Sequence, residues 1–596
     1  MLLVAAITAA SICAGTALAA GPVGKTKLVA GGSTGLAKSS GKPGTTGSLS
    51  SEVAGLEVDE DVPNSGNSGA RVPSAGVPTP AGNAVVGTGS ELLRSFQGLN
   101  HADQRFSGSG IYVNTNFSLE PPDQALCVGG GQIIEGVNTA FQVYNENGGT
   151  VGAVTSYNQF FGLTPAINRT TGARGAFTSD PKCIYDAQSG RFIMSMLEAG
   201  QTSDGHFDGT GGIYFAVSAP NDATTWSVYH FDTNQDGANG TSAGCPCLGD
   251  QPLLGADANG IYFAVNSFPF FTDGFNGAWV YAISKASLYG SPSGPISVFK
   301  YFGGALRDGL SYSIQPAISP GTTYATANNG TEYFLSALDF NAKLDNQIAQ
   351  WRMTNTNVLG VGGAPTLEAP ALVDSEVYGQ PPAAQQSSDG PFPLLDAARI
   401  PGPANPLGSP NPANFHVSLL NTNDDRMENA IYANGKLWGS LNTVVKTANG
   451  PTQTGLAWFA VTPSTATIAA QGYVSANNAS VFYPSLAIND AGKGVIGGTI
   501  SSTSMHPSVA YALLDATHGA GALHLAFSGP VGEDGFTGYT DPVTGAPVNQ
   551  KGVSRWGDYG AAGVDSDGSI WVANETTSLT RTLLANWGTF VSHVQP

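Results

Sequence analysis

A short apolar strand, a Gly/Asn/Asp turn and a second apolar strand recur along this chain, and the recurrence constrains the fold more than any single residue. The unit reads PDQALCVGGGQIIEGVN from Pro122, PKCIYDAQSGRFIMSMLE from Pro181, PLLGADANGIYFAVN from Pro252 and PAISPGTTYATANNGTEYFLSA from Pro316. It returns as ENAIYANGKLWGSLN from Glu428, PSLAINDAGKGVIGGT from Pro484 and DYGAAGVDSDGSIWVANE from Asp558. A second strand pair follows each copy, beginning at Ala140, Ile213, Trp279, Ala349, Ala457, Ala510 and Trp587. Four short strands in about 68 residues, repeated seven times, predict an all-β fold, a seven-bladed β-propeller of four-stranded antiparallel blades. A sandwich array or a β-solenoid is the competing architecture, and the repeat is too long for a solenoid coil.

The seventh copy stops after its third strand, at Val594. A propeller ring left open there would expose a sheet edge. The missing strand is expected from before the first repeat, where LLRSFQGL (Leu92 to Leu99) and IYVNTNF (Ile111 to Phe117) both fit.

Composition assigns the rest of the chain. Glycine at 79 of 596 residues, without a G-X-Y period, excludes collagen and is explained by turns. Residues 1–20, MLLVAAITAASICAGTALAA, read as a signal peptide ending in a small-x-small site, so a secreted protein of the extracellular space or cell surface is expected. Residues 21–90 are rich in Gly, Ser, Ala, Pro, Val and Thr and read as a disordered low-complexity leader. Up to Arg94 the charges cancel, so the net charge of −19 belongs to the propeller domain, 91–596. Such an acidic body has no basic footprint for nucleic acid. No apolar run after the signal is long enough for a transmembrane segment. A monomer is expected. Outside the signal, Cys127, Cys183, Cys245 and Cys247 form an even set, read as structural disulfides with three possible pairings. Cys245 and Cys247 are expected to be too close for an easy bridge to each other.

In a propeller the loops alternate between two faces. Turns inside the first module are short, whereas loops reaching the inner strands and leaving the second strands are long, and long loops on a rigid scaffold carry function. The register puts Asp123, Asp180, Asp250, Gln315, Arg426, Tyr483, Arg555, Trp556 and Asp558 at the starts of inner strands on that face. Asn138, Glu198, Asn266, Asn442 and Glu575 leave the second strands on the same face. Asp180, Asp250, Asp558, Glu198 and Glu575 are the candidate catalytic carboxylates, since a pair of them can act as acid and base on a glycosidic bond. Asp123, Asn138, Asn266, Gln315, Arg426, Asn442, Tyr483, Arg555 and Trp556 are the candidate ligand contacts. Asp, Asn and Gln also cap turns, which is the structural alternative for each. Aromatic residues on this face (Phe268, Phe270, Phe271, Phe275, Phe536, Tyr539 and Tyr559) suit the C–H faces of sugars, or else pack the loops. Asp232, Asn234 and Asp236 in DTNQDG match the opening of a calcium loop without its closing acid, or make a surface turn. A Pro-rich insertion, 375–415, connects the fourth and fifth repeats on the long-loop side and is expected to cover the rim. No G-x-S-x-G, H-E-x-x-H, P-loop or dinucleotide motif is present, and the eight His show no ligand spacing.

The strings SDPKCIYDAQSGRFIMSML, GDQPLLGADANGIYFAVN and RWGDYGAAGVDSDGSIWVANE resemble those of secreted bacterial β-propeller proteins of unassigned function, distantly similar to the sialidase-like superfamily. The resemblance spans about 100 to 596 and implies a propeller without implying an activity. Sialidases carry S-x-D-x-G-x-x-W boxes and three arginines. Here YDAQSGRF keeps only the Asp and the Gly, and Arg426 and Arg555 match two cations, with Arg307 or Lys182 as the third. The expected function is binding of a ligand, a glycan or surface polymer, on the long-loop face, with glycoside hydrolysis as one reading. A noncatalytic surface, adhesion or protein-interaction module, calcium-stabilised, is the other.

Overall fold

The computed structural model describes residues 21–38, 73–234, 244–290, 295–307, 309–338, 344–400, 415–447, 450–540 and 552–596. The signal sequence, the middle of the leader, Asp236 and the tip of the Pro-rich insertion lie outside the described residues.

Each repeat folds as one antiparallel sheet, and seven sheets form the ring. Blade 1 runs through Ala125–Gly129, Gln132–Val137, Ala140–Asn145 and Thr150–Ser156. Blade 2 follows with Phe177–Asp186, Arg191–Gln201, Phe207–Ala219 and Asp222–Asp232, and blade 3 with Cys247–Ala256, Gly260–Pro269, Ala278–Ser284 and Ser297–Phe302. Blade 4 departs from the expected register. Its inner strand is only Gln315–Pro316, and its outer edge is shared by Thr366–Leu367, within the APTLEAP segment, and Ala371–Tyr378, both paired with Asp345–Thr354. The Pro-rich insertion therefore starts inside Ala371–Tyr378. Blades 5 and 6 are regular, from Met427–Ala433 to Thr467–Val474 and from Ser480–Ile488 to Leu523–Phe527.

Blade 7 has three strands from the C-terminal repeat and a fourth, Leu92–Asn100, antiparallel to Trp587–Val594 with Phe96 opposite Val591. The ring is thus closed by the first of the two expected segments. Gly110–Tyr112, within the other, forms a short 3₁₀ turn.

Strand alternation buries apolar side chains on both faces of each blade, so the core lies between blades. Phe215 and Phe231 of blade 2 pack on Phe263 and Tyr281 of blade 3, with ring centroids 5.1 to 5.5 Å apart. Trp438 and Trp458 of blade 5 join Leu486 and Ile496 of blade 6 in another such layer. Each fully buried large apolar side chain contributes roughly 1.5–3 kcal/mol.

The described parts of the leader are not disordered. Gly24–Lys27 adds a fifth strand to blade 3, and Val29–Gly35 adds one to blade 2. Val85–Val86 pairs in parallel with the outer strand of blade 6. The physical reason lies in the acceptors: a segment too polar to build its own core can still satisfy its backbone on the open edges of blades already formed.

Cys127 and Cys183 join the inner strands of blades 1 and 2, and Cys245 is bridged to Cys247, against expectation. Their Cα atoms are 4.5 Å apart, within the range a disulfide spans. Among the described residues no helix is long and apolar enough to cross a membrane.

Candidate functional site

Proline shapes the mouth of the central channel. Pro181, Pro252 and Pro484 lie within inner strands and have no N–H for the ladder, so the pairing slips at each, between Ser195 and Leu197, Asp250 and Leu253, and Phe482 and Ser485. The preceding residues Asp180, Gln251 and Tyr483 take φ of 54°, 47° and 55°, a left-handed conformation rare outside glycine. Bulges of this kind re-aim side chains. Here they turn polar groups from separate blades toward one another.

A hydrogen-bonded chain then crosses the mouth. The Asp558 N–H of blade 7 donates to Asp123 Oδ1 of blade 1 at 2.7 Å, and Asn138 holds the other oxygen at 3.0 Å. Arg555 donates to Asp558 Oδ2 at 3.0 Å. Arg426 of blade 5 grips both Asp424 oxygens at 2.8 Å, lies over the Tyr312 ring and reaches Gln251 Oε1 of blade 3 at 2.9 Å. The Gln251 N–H in turn donates to Asp180 Oδ2 of blade 2 at 3.1 Å. Lys182 Nζ sits 2.9 Å from the centre of the Tyr559 ring of blade 7. The inner strands also line a cavity of about 90 Å³, with apolar side chains including Val128, Ile184, Leu254, Ile431 and Leu486 beside Gln124, Lys182 and Glu428.

Crowding of charge moves several groups toward neutrality. Burial, then the Asp180 carboxylate, pushes Asp250 up to about 8, with Arg426 opposing. Burial raises Glu428 to about 8 against Arg426 and Lys182, and lowers Lys182 to about 8 against Glu428 and Asp180. A group with such a shift at a concave mouth is a standard cue for chemistry or binding. Lys182, Asp250 and Asp558 remain half-exposed, so they are the ionisable groups a ligand meets.

The structure separates the sequence candidates. Asp123, Asp180, Asp250, Arg426, Arg555 and Asp558 come together in this network. Asn138, Asn266 and Asn442 are fully buried, and they hold backbone and side chains of the inner strands: Asn266 Oδ1 accepts from Ser313 N and Asn442 Oδ1 from Tyr483 N. Gln315 donates to the Met427 carbonyl, and Trp556, 1% exposed, donates to Thr499. Trp556 is therefore not a stacking platform for sugars. Glu575 is buried behind the mouth, accepting from Gly557 N, and burial keeps its carboxyl well above its ordinary value. Glu198 stands apart on blade 2, raised to about 7 by burial and by Asp208 and Asp232. Phe536 and Tyr539 are buried with Phe392, Leu395 and Phe415 of the insertion.

The described residues in and just after that insertion hydrogen-bond with loops next to blades 5 to 7. Ala384 exchanges backbone hydrogen bonds with Leu420, Leu419 pairs in parallel with Val553, and Asp534 accepts from the Leu394 and Leu395 N–H groups. The calcium string is described only at Asp232 and Asn234. Among the described residues no group of three or more His, Cys, Asp or Glu side chains is arranged for a metal ion.

Sequence reasoning missed Gln251 and Tyr312 and gave Lys182 only a minor part. The X-Pro dipeptides at the starts of the repeats carried a signal for the bulges. Nothing local marked Tyr312, which reaches the mouth from blade 4 beside Phe275, 5.4 Å away.

No protein-family profile and no curated protein sequence matches the chain. Among solved structures it is similar to a variant of the Synechocystis apocarotenoid oxygenase, at 12% identity and a TM-score of 0.32, covering 71% of this chain and 77% of that one. A Trypanosoma rangeli sialidase in complex with sialic acid aligns at 11% identity and a TM-score of 0.31, covering 72% of this chain and 56% of that one. A Penicillium chrysogenum α-L-arabinanase complexed with arabinobiose aligns at 12% and 0.31, covering 70% and 93%. At these values none of the three bears on what this chain binds.

Proposed function

We propose that the channel mouth binds an oligosaccharide without net negative charge. The observation that supports this is a set of buried polar atoms around the mouth that find no partner among the described residues: Glu428 Oε1 and Oε2, Gln251 Nε2, Tyr483 Oη and Gln124 Oε1. Buried donors and acceptors are normally paired, and hydroxyl groups serve both kinds. Arg426 is engaged by Asp424, Arg555 by Asp558, and Lys182 by the Tyr559 face, while Asp123 and Asp180 add further carboxyl groups. An anionic sugar would meet this surplus of acid, which favours a neutral ligand.

Hydrolysis is the second reading, favoured by Asp250 alone: a carboxyl with a pKa near 8 holds its proton at neutral pH and can donate it to a glycosidic oxygen. Two disulfides fit an oxidising compartment, in line with export. The test is a glycan array, followed by reducing-sugar release on every glycan bound. Binding of neutral glycans that Glu428→Gln weakens supports the proposal; binding confined to sialylated or sulfated glycans, or none, overturns it. Release that Asp250→Asn abolishes supports hydrolysis, and binding without release removes it.

A further inference from the structure

Two disulfides of very different kind occur in this protein. Cys127 and Cys183 are 56 residues apart, lie 1% and 7% exposed within inner strands, and cross-link two blades. Cys245 and Cys247 are two residues apart, and Cys245 is half-exposed on the long-loop face while Cys247 is buried. Stabilisation by a cross-link grows with the length of chain it closes, so so small a ring contributes the smaller share to folding. The sequence gives this bridge another setting. Asn276 Nδ2 approaches both sulfurs, at 3.2 Å from Cys247 Sγ and 3.6 Å from Cys245 Sγ. Such a donor stabilises a thiolate when the bond opens.

The ring also ties two loops together. The Pro246 carbonyl accepts from Phe270 N at 3.0 Å, and Cys247 N donates to the Asn234 carbonyl at 2.8 Å. Phe271, next to the first of these bonds, is 60% exposed.

We infer that Cys245–Cys247 is a redox site open to dithiols in the folded protein, and that its state sets the loop carrying Phe270 and Phe271. In the first step a thiolate of the dithiol attacks the exposed Cys245 Sγ. The S–S bond breaks, its electron pair goes to Cys247 Sγ beside Asn276, and that sulfur takes a proton. In the second step the other thiol of the reagent attacks the mixed disulfide and releases Cys245 as a thiol. Two electrons pass from the dithiol, which leaves as its own cyclic disulfide, to the protein.

The experiment uses the full wild-type chain, graded dithiothreitol, alkylation of free thiols and mass mapping of all four cysteines, with circular dichroism on each sample. The expected result is complete loss of the 245–247 bridge while 127–183 stays oxidised and the strand signal is unchanged. Chymotrypsin should then cut after Phe270 or Phe271 faster than in the oxidised protein. Loss of both bridges together with the fold, or of 127–183 first, would overturn the inference. Selective reduction with unchanged cleavage would overturn its coupling to the loop.

Discussion

Closure of the ring rests on a contact in which glycine is required by space rather than by conformation. A Cβ at Gly98, in the closing strand, would lie 2.2 Å and 2.4 Å from the two Glu135 carboxyl oxygens of blade 1 and 2.5 Å from Thr589 Oγ1 of blade 7. Ordinary contact begins near 3.4 Å. Glu135 has little freedom to retreat, because it is fully buried and accepts from Leu99 N at 3.1 Å, Tyr144 Oη at 3.1 Å and Thr589 Oγ1. Gly98→Ala should therefore sacrifice at least one hydrogen bond to a buried carboxyl and overpack the seam, together about 3 kcal/mol. If the closing strand opens as a unit, that loss speeds hydrogen exchange of the Leu92–Asn100 amides by about 100-fold. Gly87→Ala is the control, since nothing lies within 4 Å of a Cβ there and its φ is ordinary. Exchange in Gly98→Ala equal to that in Gly87→Ala would refute the reasoning, and with it the role of this seam in closing the ring.

Glu135 also makes closure pH-dependent. Burial lifts its carboxyl to about 7, against the hydrogen bonds from Thr589, Leu99 and Tyr144. The folded state then holds a proton that the unfolded state has released, so stability falls as pH rises from about 4.5 to about 7 and levels off above, by about 3 kcal/mol for this group. Urea midpoints across that range should show this slope reduced in Glu135→Gln; an unchanged slope would contradict it. Removal of residues 21–38 bares the outer edges of blades 2 and 3, so light scattering should show association that the full chain does not. A truncated protein as monodisperse as the full chain would show that the added strands do not protect those edges.

The ring was legible in the sequence because the repeat is periodic in both strand alternation and turn chemistry, and even its closure at Leu92–Asn100 could be anticipated from an unfinished last blade. Blade 4 is the least legible, because its inner strand is reduced to Gln315–Pro316 and its outer edge is split between Thr366–Leu367 and Ala371–Tyr378. The strands at Gly24–Lys27 and Val29–Gly35 were illegible for a different reason: their partners are edges in other blades, and GKTK or VAGGSTG alone carries no apolar face. At the mouth, the register put Asp123, Asp180, Asp250, Arg426, Arg555 and Asp558 on one rim, and these side chains lie close together. It could not distinguish them from Asn138, Asn266 and Asn442, because capping and ligand contact demand the same residue types. Exposure separates only Asp250 and Asp558, which are half-exposed, and exposure depends on neighbours far away in the chain.

The central claim is that ligand is held at the channel mouth and not elsewhere on the long-loop face. Titration of the best neutral oligosaccharide against Asp250→Asn and Glu198→Gln tests it most directly, because both carboxyls are half-buried with raised pKa values but only Asp250 belongs to the mouth. Asp250→Asn should weaken binding by about tenfold or more. Glu198→Gln should leave it within about twofold. The reverse pattern, with Glu198→Gln losing affinity and Asp250→Asn keeping it, would contradict the account.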